Sequence, residues 1–148
     1  MAPNSAIMAM VKSNAYGPGI ERIATALTDA DALGVACSEE GLILRQAGVK
    51  NPIVLMEGLF SPDELTRAMT NDFILVVHHV SQVEMLEKHA DMQPFSIWFK
   101  IDTGMHRLGF EPNYVEKIYL RLQNCPAVKK PIGLMTHFAE SDAVDRAL

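Results

Sequence analysis

The chain has 148 residues, 49% of them hydrophobic and 21% charged, which sits near globular averages and excludes disordered, collagen-like and low-complexity classes. With 13 Lys+Arg against 18 Asp+Glu the formal charge is −5, so no general electrostatic grip on nucleic acid or an anionic membrane is expected. Cys37 and Cys125 are too few for a disulfide framework, no apolar run approaches the ~20 residues of a membrane span, and Ala6–Val11 lacks the basic flank of a signal peptide; a soluble, cytoplasmic protein is expected.

Strands are predicted at Ala6–Val11, Leu33–Cys37, Ile53–Met56, Phe73–Val77, Phe95–Ile101 and Ile132–His137. Most are continuous apolar runs, the pattern of strands covered on both faces. After the first, Ile20, Ile23, Ala24 and Leu27 form a helical stripe. Ser38-Glu39-Glu40 opens the next helix with two acids where the dipole favours them, and Gly48 is the expected stop. Ser61 is the expected N-cap of a third helix, with Pro62 at its first position and Glu64 three residues on; Ser81-Gln82-Val83-Glu84 repeats the capping-box spacing. Val115, Ile118, Tyr119 and Leu122 form a further stripe, and a sixth helix is expected from near Ser141. Alternating strands and helices imply a parallel sheet with helical crossovers. A complete eight-stranded barrel takes roughly 250 residues, so six units are either about three-quarters of a barrel or a whole doubly wound sheet. Periodicity does not choose between them.

Both architectures place their sites at the carboxyl ends of the strands. Lys12 follows the first apolar run directly and precedes Ser13-Asn14-Ala15-Tyr16-Gly17-Pro18-Gly19. A lysine there is either desolvated, its amine becoming a nucleophile toward carbonyls, or a side chain snorkelling to solvent. Asn14 to Gly17 form a weak pattern for a phosphate cradle of backbone N–H groups and a tyrosine hydroxyl. On the fifth strand Ser96, Trp98, Lys100 and Asp102 share one face, opposite Phe95, Ile97, Phe99 and Ile101. Lys100 is therefore expected to be partly buried and to need an anionic partner, an ordinary Lys–Asp pair being one solution. Arg107 lies in the loop beyond that strand, where a guanidinium either grips an oxyanion with two prongs or is a plain surface charge. His137 ends the sixth strand, as a stacking or proton-transfer group or as a satisfied core histidine. His78-His79 has no cysteine or carboxylate at metal-ligand spacing, so no metal site is expected. GxGxxG, GxxxxGK[ST], GxSxG and HExxH are absent.

Three segments together resemble the alanine racemase family: Val11-Lys12-Ser13-Asn14-Ala15-Tyr16-Gly17, Lys100-Ile101-Asp102-Thr103-Gly104-Met105-His106-Arg107-Leu108-Gly109 and Thr136-His137-Phe138-Ala139. The resemblance runs through essentially the whole chain and implies a TIM-type (β/α)8 barrel of which about six of eight units are present. It implies pyridoxal 5′-phosphate as cofactor, L- and D-alanine as substrates, D-alanine supply for peptidoglycan, and a homodimer at full length. By the same resemblance Lys12 bears the cofactor and moves a proton, and Tyr16 contacts the cofactor phosphate. Arg107 faces the pyridoxal O3′ and helps place the substrate carboxylate, His137 packs on the ring, and Lys100 matches a lysine carbamylated in some members. Racemisation needs proton transfer on both faces of Cα, with the cofactor ring as electron sink. The chain departs from the family in reading Gly17-Pro18-Gly19 where members usually have Gly-His-Gly; proline fixes φ and removes a donor. The family also has a helix before the first motif, two more barrel strands with their phosphate-binding loops, and a C-terminal β domain carrying the opposite-face tyrosine. These are expected to be missing from residues 1–148, leaving a partial cofactor-binding barrel domain inactive alone. The alternatives are a related barrel-type racemase or decarboxylase, or a non-catalytic pyridoxal-phosphate-binding barrel.

Overall fold

The computed structural model describes residues 4–141, so the helix expected from near Ser141 lies outside the described residues. Strands β1 (Met8–Met10), β2 (Ala32–Val35), β3 (Ile53–Leu55), β4 (Phe73–Val77), β5 (Ile97–Lys100) and β6 (Gly133–Met135) alternate with helices. The helical segments are α1 (Lys12–Tyr16), α2 (Ile20–Ala26), α3 (Ser38–Gln46), α4 (Asp63–Thr70), α5 (Val80–Lys88) and α6 (Pro112–Asn124). Every strand pair is parallel and the spatial order is the sequence order, β1-β2-β3-β4-β5-β6. A doubly wound sheet reverses direction at a switch point, whereas a barrel adds each strand beside the last. The sheet also curls. Laid flat, β1 and β6 would stand about 24 Å apart at the usual strand spacing; instead Met10 of β1 and His137 just beyond β6 line one cleft. The fold is a TIM-type β/α barrel of which six strands and the five helical crossovers between them are described.

Register sorts the side chains into two layers. Leu33, Val35, Ile53, Leu55, Phe73, Leu75, Val77, Ile97 and Phe99 point outward into one core with Leu44, Leu65, Val83, Leu86, Ile118 and Leu122 of the helices. Phe99 stacks against Phe110 at 5.2 Å and Tyr119 at 6.3 Å, anchoring α6. The alternate residues, Met10, Gly34, Val54, Val76, Trp98 and Lys100, face the barrel interior, as the pairings Met10↔Gly34↔Val54 and Val76↔Trp98↔Gly133 require. Trp98 needs Gly133 beside it: a Cβ at Gly133 would lie 2.6 Å from the indole. All six expected strands exist, mostly shorter than expected; β5 is shortened at both ends because Phe95 and Ile101 make only isolated bridges to Val128 and Phe110.

Two caps differ from expectation. The capping box of α5 is built two residues upstream of Ser81: His79 Nδ1 accepts from the Ser81 N–H and Gln82 Oε1 accepts from the His79 N–H, both at 3.3 Å. Histidine takes the cap because its ring nitrogen occupies the acceptor position that serine was expected to fill. At α4 the Ser61 side chain makes no cap bond and Pro62 is the capping residue. Glu64 nevertheless reaches back to the N–H groups of Phe60 and Ser61, at 2.7 and 3.1 Å, which supplies the carboxylate half of the expected motif.

Candidate active site

Lys12 stands where β1 ends, fixed by the Val11 N–H donating to the Gly34 carbonyl at 2.9 Å. The next four residues, none a glycine, are left-handed: Ser13, Asn14, Ala15 and Tyr16 have φ of 54°, 55°, 53° and 58°. Such backbone costs about 1–2 kcal/mol per residue and survives only where its surroundings dictate it. The Asn14 carbonyl accepts from Gly17 and Gly19 at 3.1 Å, and Asn14 Oδ1 caps the Ile20 N–H at 2.9 Å. From α3, Glu40 Oε1 accepts from the Ser13 N–H at 2.6 Å. These bonds correct the expected phosphate cradle. The N–H groups of Ser13, Asn14, Ala15, Gly17 and Gly19 already have internal partners, so the expected cradle loses most of its backbone donors, while Tyr16 stands at the cleft.

Lys100 is 5% exposed, at the end of β5 on the interior face, as the alternation predicts. Burial lowers its pKa below the ordinary lysine value, and the nearby cations Arg107 and Lys12 push it the same way against weaker opposition from Asp102 and Glu57. The expected Lys–Asp pair is not formed: among the described residues no carboxylate makes an ion pair with Lys100. Asp102 turns instead to its own loop, accepting from the N–H groups of Gly104 and His106 at 3.0 Å and from His106 Nδ1 at 3.1 Å. Those two N–H groups, that of His106 foremost, hold the Asp102 carboxyl below its usual pKa. The loop they shape carries Arg107, which is exposed. His137 is exposed as well, at the free edge of the described sheet. Thr136, next to it, ties β6 to β5 by donating to the Ile101 carbonyl at 2.9 Å.

Lys12, Tyr16, Lys100, Arg107 and His137 line a single cleft of about 420 Å³ at the carboxyl ends of the strands, with Met10, Met56, Glu57 and Leu108 completing its wall. That is within the usual range for small-ligand sites. Sequence reasoning missed Glu57, although it directly follows the third predicted strand and the strand-end rule points to it. It also took Glu40 only for a dipole-favoured acid. Behind the cleft, the Glu57 carbonyl lies 2.9 Å from both His78 Nε2 and Gln82 Nε2, and burial lowers the His78 pKa. No group of three metal-ligating side chains occurs among the described residues. No helix among them is long and apolar enough to cross a membrane.

The fold and the cleft define a segment of a β/α-barrel protein whose site gathers two lysines, an arginine, a tyrosine and a histidine at the strand ends. The family model for the alanine racemase N-terminal domain matches residues 1–147, and the chain belongs to that family. The alanine racemase of Shewanella loihica is 50% identical over 145 residues, 98% of this chain and 40% of that protein. The alanine racemase of Legionella pneumophila strain Corby is 47% identical over 147 residues, 99% and 41% of the two chains. Among solved structures, the alanine racemase of Acinetobacter baumannii superposes with a TM-score of 0.87 at 40% identity, over 96% of this chain and 42% of that one. The biosynthetic alanine racemase of Pseudomonas aeruginosa does so with a TM-score of 0.85 at 38% identity, over 93% and 38%. The chain thus spans about two-fifths of the length of the curated relatives it matches.

Proposed function

We propose that residues 1–148 are the cofactor-bearing part of a pyridoxal-phosphate-dependent alanine racemase, with Lys12 as the lysine that holds the cofactor. The observation that carries this reading is the convergence of Lys12, Tyr16, Lys100, Arg107 and His137 on one cleft. The donor set fits the cofactor: an amine for its carbonyl, a tyrosine hydroxyl for its phosphate, a guanidinium for O3′ and an imidazole for the ring face. When bound, the cofactor supplies an electron sink for the pair left behind as the Cα proton departs. Lys12 takes or returns that proton on its own face of the substrate. Arg107 orients the substrate carboxylate through its fork of N–H donors. Lys100, buried beside two cations, has its neutral amine favoured, the form that reacts with carbon dioxide; the carbamate formed, with release of one proton, replaces a destabilised cation by an anion facing Arg107. Alanine as substrate, a homodimer, a cytoplasmic location and D-alanine supply for peptidoglycan belong to the same reading, as does the division of the whole racemase into this barrel part and a C-terminal β domain.

The test is borohydride reduction in the presence of pyridoxal phosphate, followed by peptide mapping. Label is expected on Lys12; label confined to Lys100 or Lys117 refutes the assignment. With the opposite-face tyrosine of the family outside these residues, residues 1–148 alone are expected to exchange the alanine Cα proton on one face only. D-alanine formation by them above the rate of free cofactor overturns that one-sided account.

A further inference from the structure

Resting on the reading of Lys12 and Tyr16 as cofactor-binding residues, we propose that Glu40 is a positioning residue whose carboxylate holds the left-handed turn between them. One carboxylate spans two loops. Oε1 accepts from the N–H groups of Ser13 at 2.6 Å and Asn14 at 3.4 Å, and Oε2 accepts from the N–H of Ala36 at 2.9 Å. Ser13 and Asn14 follow β1 and Ala36 follows β2, so Glu40, in the first turn of α3, pins the backbone beyond the first strand to that beyond the second. The two ends of the turn are not equally secure without it. Lys12 stays tied to the sheet through its neighbour, because the Val11 N–H donates to the Gly34 carbonyl. Tyr16 is held only from within the turn: its neighbours Ala15 and Gly17 donate to the Val11 and Asn14 carbonyls at 2.9 and 3.1 Å, and Tyr16 itself, 65% exposed, reaches the cleft through four residues in a row that keep φ near +55°. A turn relaxed to right-handed or extended backbone leaves Lys12 in place and swings Tyr16 out.

That asymmetry separates positioning from general structural support. The measurement is borohydride labelling of Lys12 across a concentration series of pyridoxal phosphate and of pyridoxal, its phosphate-free counterpart, in the full chain. Glu40→Gln keeps the size of the side chain but turns an N–H₂ toward backbone donors. It is expected to leave half-saturation by pyridoxal unchanged and to reduce the preference for the phosphorylated form by about tenfold, the factor carried by one hydrogen bond of about 1.4 kcal/mol. Tyr16→Phe should lose the same preference, and adding Glu40→Gln to it should change nothing more. Ser13→Gly, which makes positive φ cheap at a residue whose side chain is exposed, should restore part of the preference in the Glu40→Gln background. Hydrogen exchange at Ser13, Asn14 and Ala36 should quicken in Glu40→Gln while the β2 and β3 amides stay protected. An unchanged preference refutes the proposal, as does an equal loss for both ligands or global unprotection of the variant. Absence of label on Lys12 in the unaltered chain instead removes the cofactor reading itself, and the positioning role with it.

Discussion

Gly109 offers a sharp test of how the Arg107 loop is held. Its φ is +125°, and a Cβ there would lie 2.7 Å from the Asp102 nitrogen and 2.9 Å from the Ile101 carbonyl carbon. Both neighbours are backbone and have no rotamer to escape into. They belong to the bridge that closes the loop, in which the Asp102 N–H donates to the Phe110 carbonyl at 2.9 Å and the Phe110 N–H to the Lys100 carbonyl at 3.0 Å. Gly109→Ala should therefore carry two penalties: about 1–3 kcal/mol for an unfavourable φ, and about 0.5–1.5 kcal/mol for each bridge hydrogen bond it parts. Gly104 is the internal control. It has φ +131° and nothing within 4 Å of the added carbon, so Gly104→Ala carries the first penalty alone. Urea denaturation of both variants, compared at constant m, should find Gly109→Ala the less stable by about 1–3 kcal/mol. Hydrogen exchange at the Asp102 and Phe110 amides should quicken in that variant only. Equal stability of the two variants would refute the reasoning, because it would mean that the bridge yields without cost.

Arg107→Ala should cost less than about 1 kcal/mol of stability, since the side chain is exposed, while impairing turnover in the whole racemase; a loss of several kcal/mol in chemical denaturation with turnover intact would make it a structural residue. Phe99→Ala should cost about 3–5 kcal/mol, because it empties the contact between β5 and α6; a cost below about 1 kcal/mol in the same assay would show that the site collapses without penalty. In buffer free of carbon dioxide, Lys100 should make stability rise with pH as the ordinary lysine value of 10.5 is approached from below, because between its lowered pKa and that value the unfolded chain binds a proton that the folded chain has released. Denaturation profiles of Lys100→Met should be flatter there; an identical slope would place the titration elsewhere.

The strand positions and the inward face of Lys100 were legible because both depend on hydrophobic pattern, which a strand repeats every second residue. The choice between barrel and open sheet was not, since it rests on which strand lies beside which, and every unit reads alike in either case. The five residues were found through the strand-end rule and the family motifs together; that they share one cleft depends on the curl of the sheet. Glu40 escaped because acids in a first helical turn are common, and nothing local announces that this one bonds to a loop more than twenty residues earlier. The same blindness hid the left-handed run. Ser13, Asn14, Ala15 and Tyr16 have no shared preference for positive φ, and the distant partner that grips their run, Glu40, is not announced by any local pattern.

Strand order equal to chain order has a kinetic consequence. Each strand finds its partner one crossover away, so the chain can assemble unit by unit with no distant ends to bring together, which keeps contact order low for a parallel sheet. The longest excursion joins Trp98 to Gly133, where Ile53 needs only to reach Phe73. It carries the Arg107 loop and α6 within it, yet it is less than twice the shorter one. Loop-closure entropy grows only logarithmically, so this step costs at most about 0.6 kcal/mol more than its neighbours. The Arg107 loop is thus housed in the longest of the five crossovers among the described residues with almost no delay to its closing.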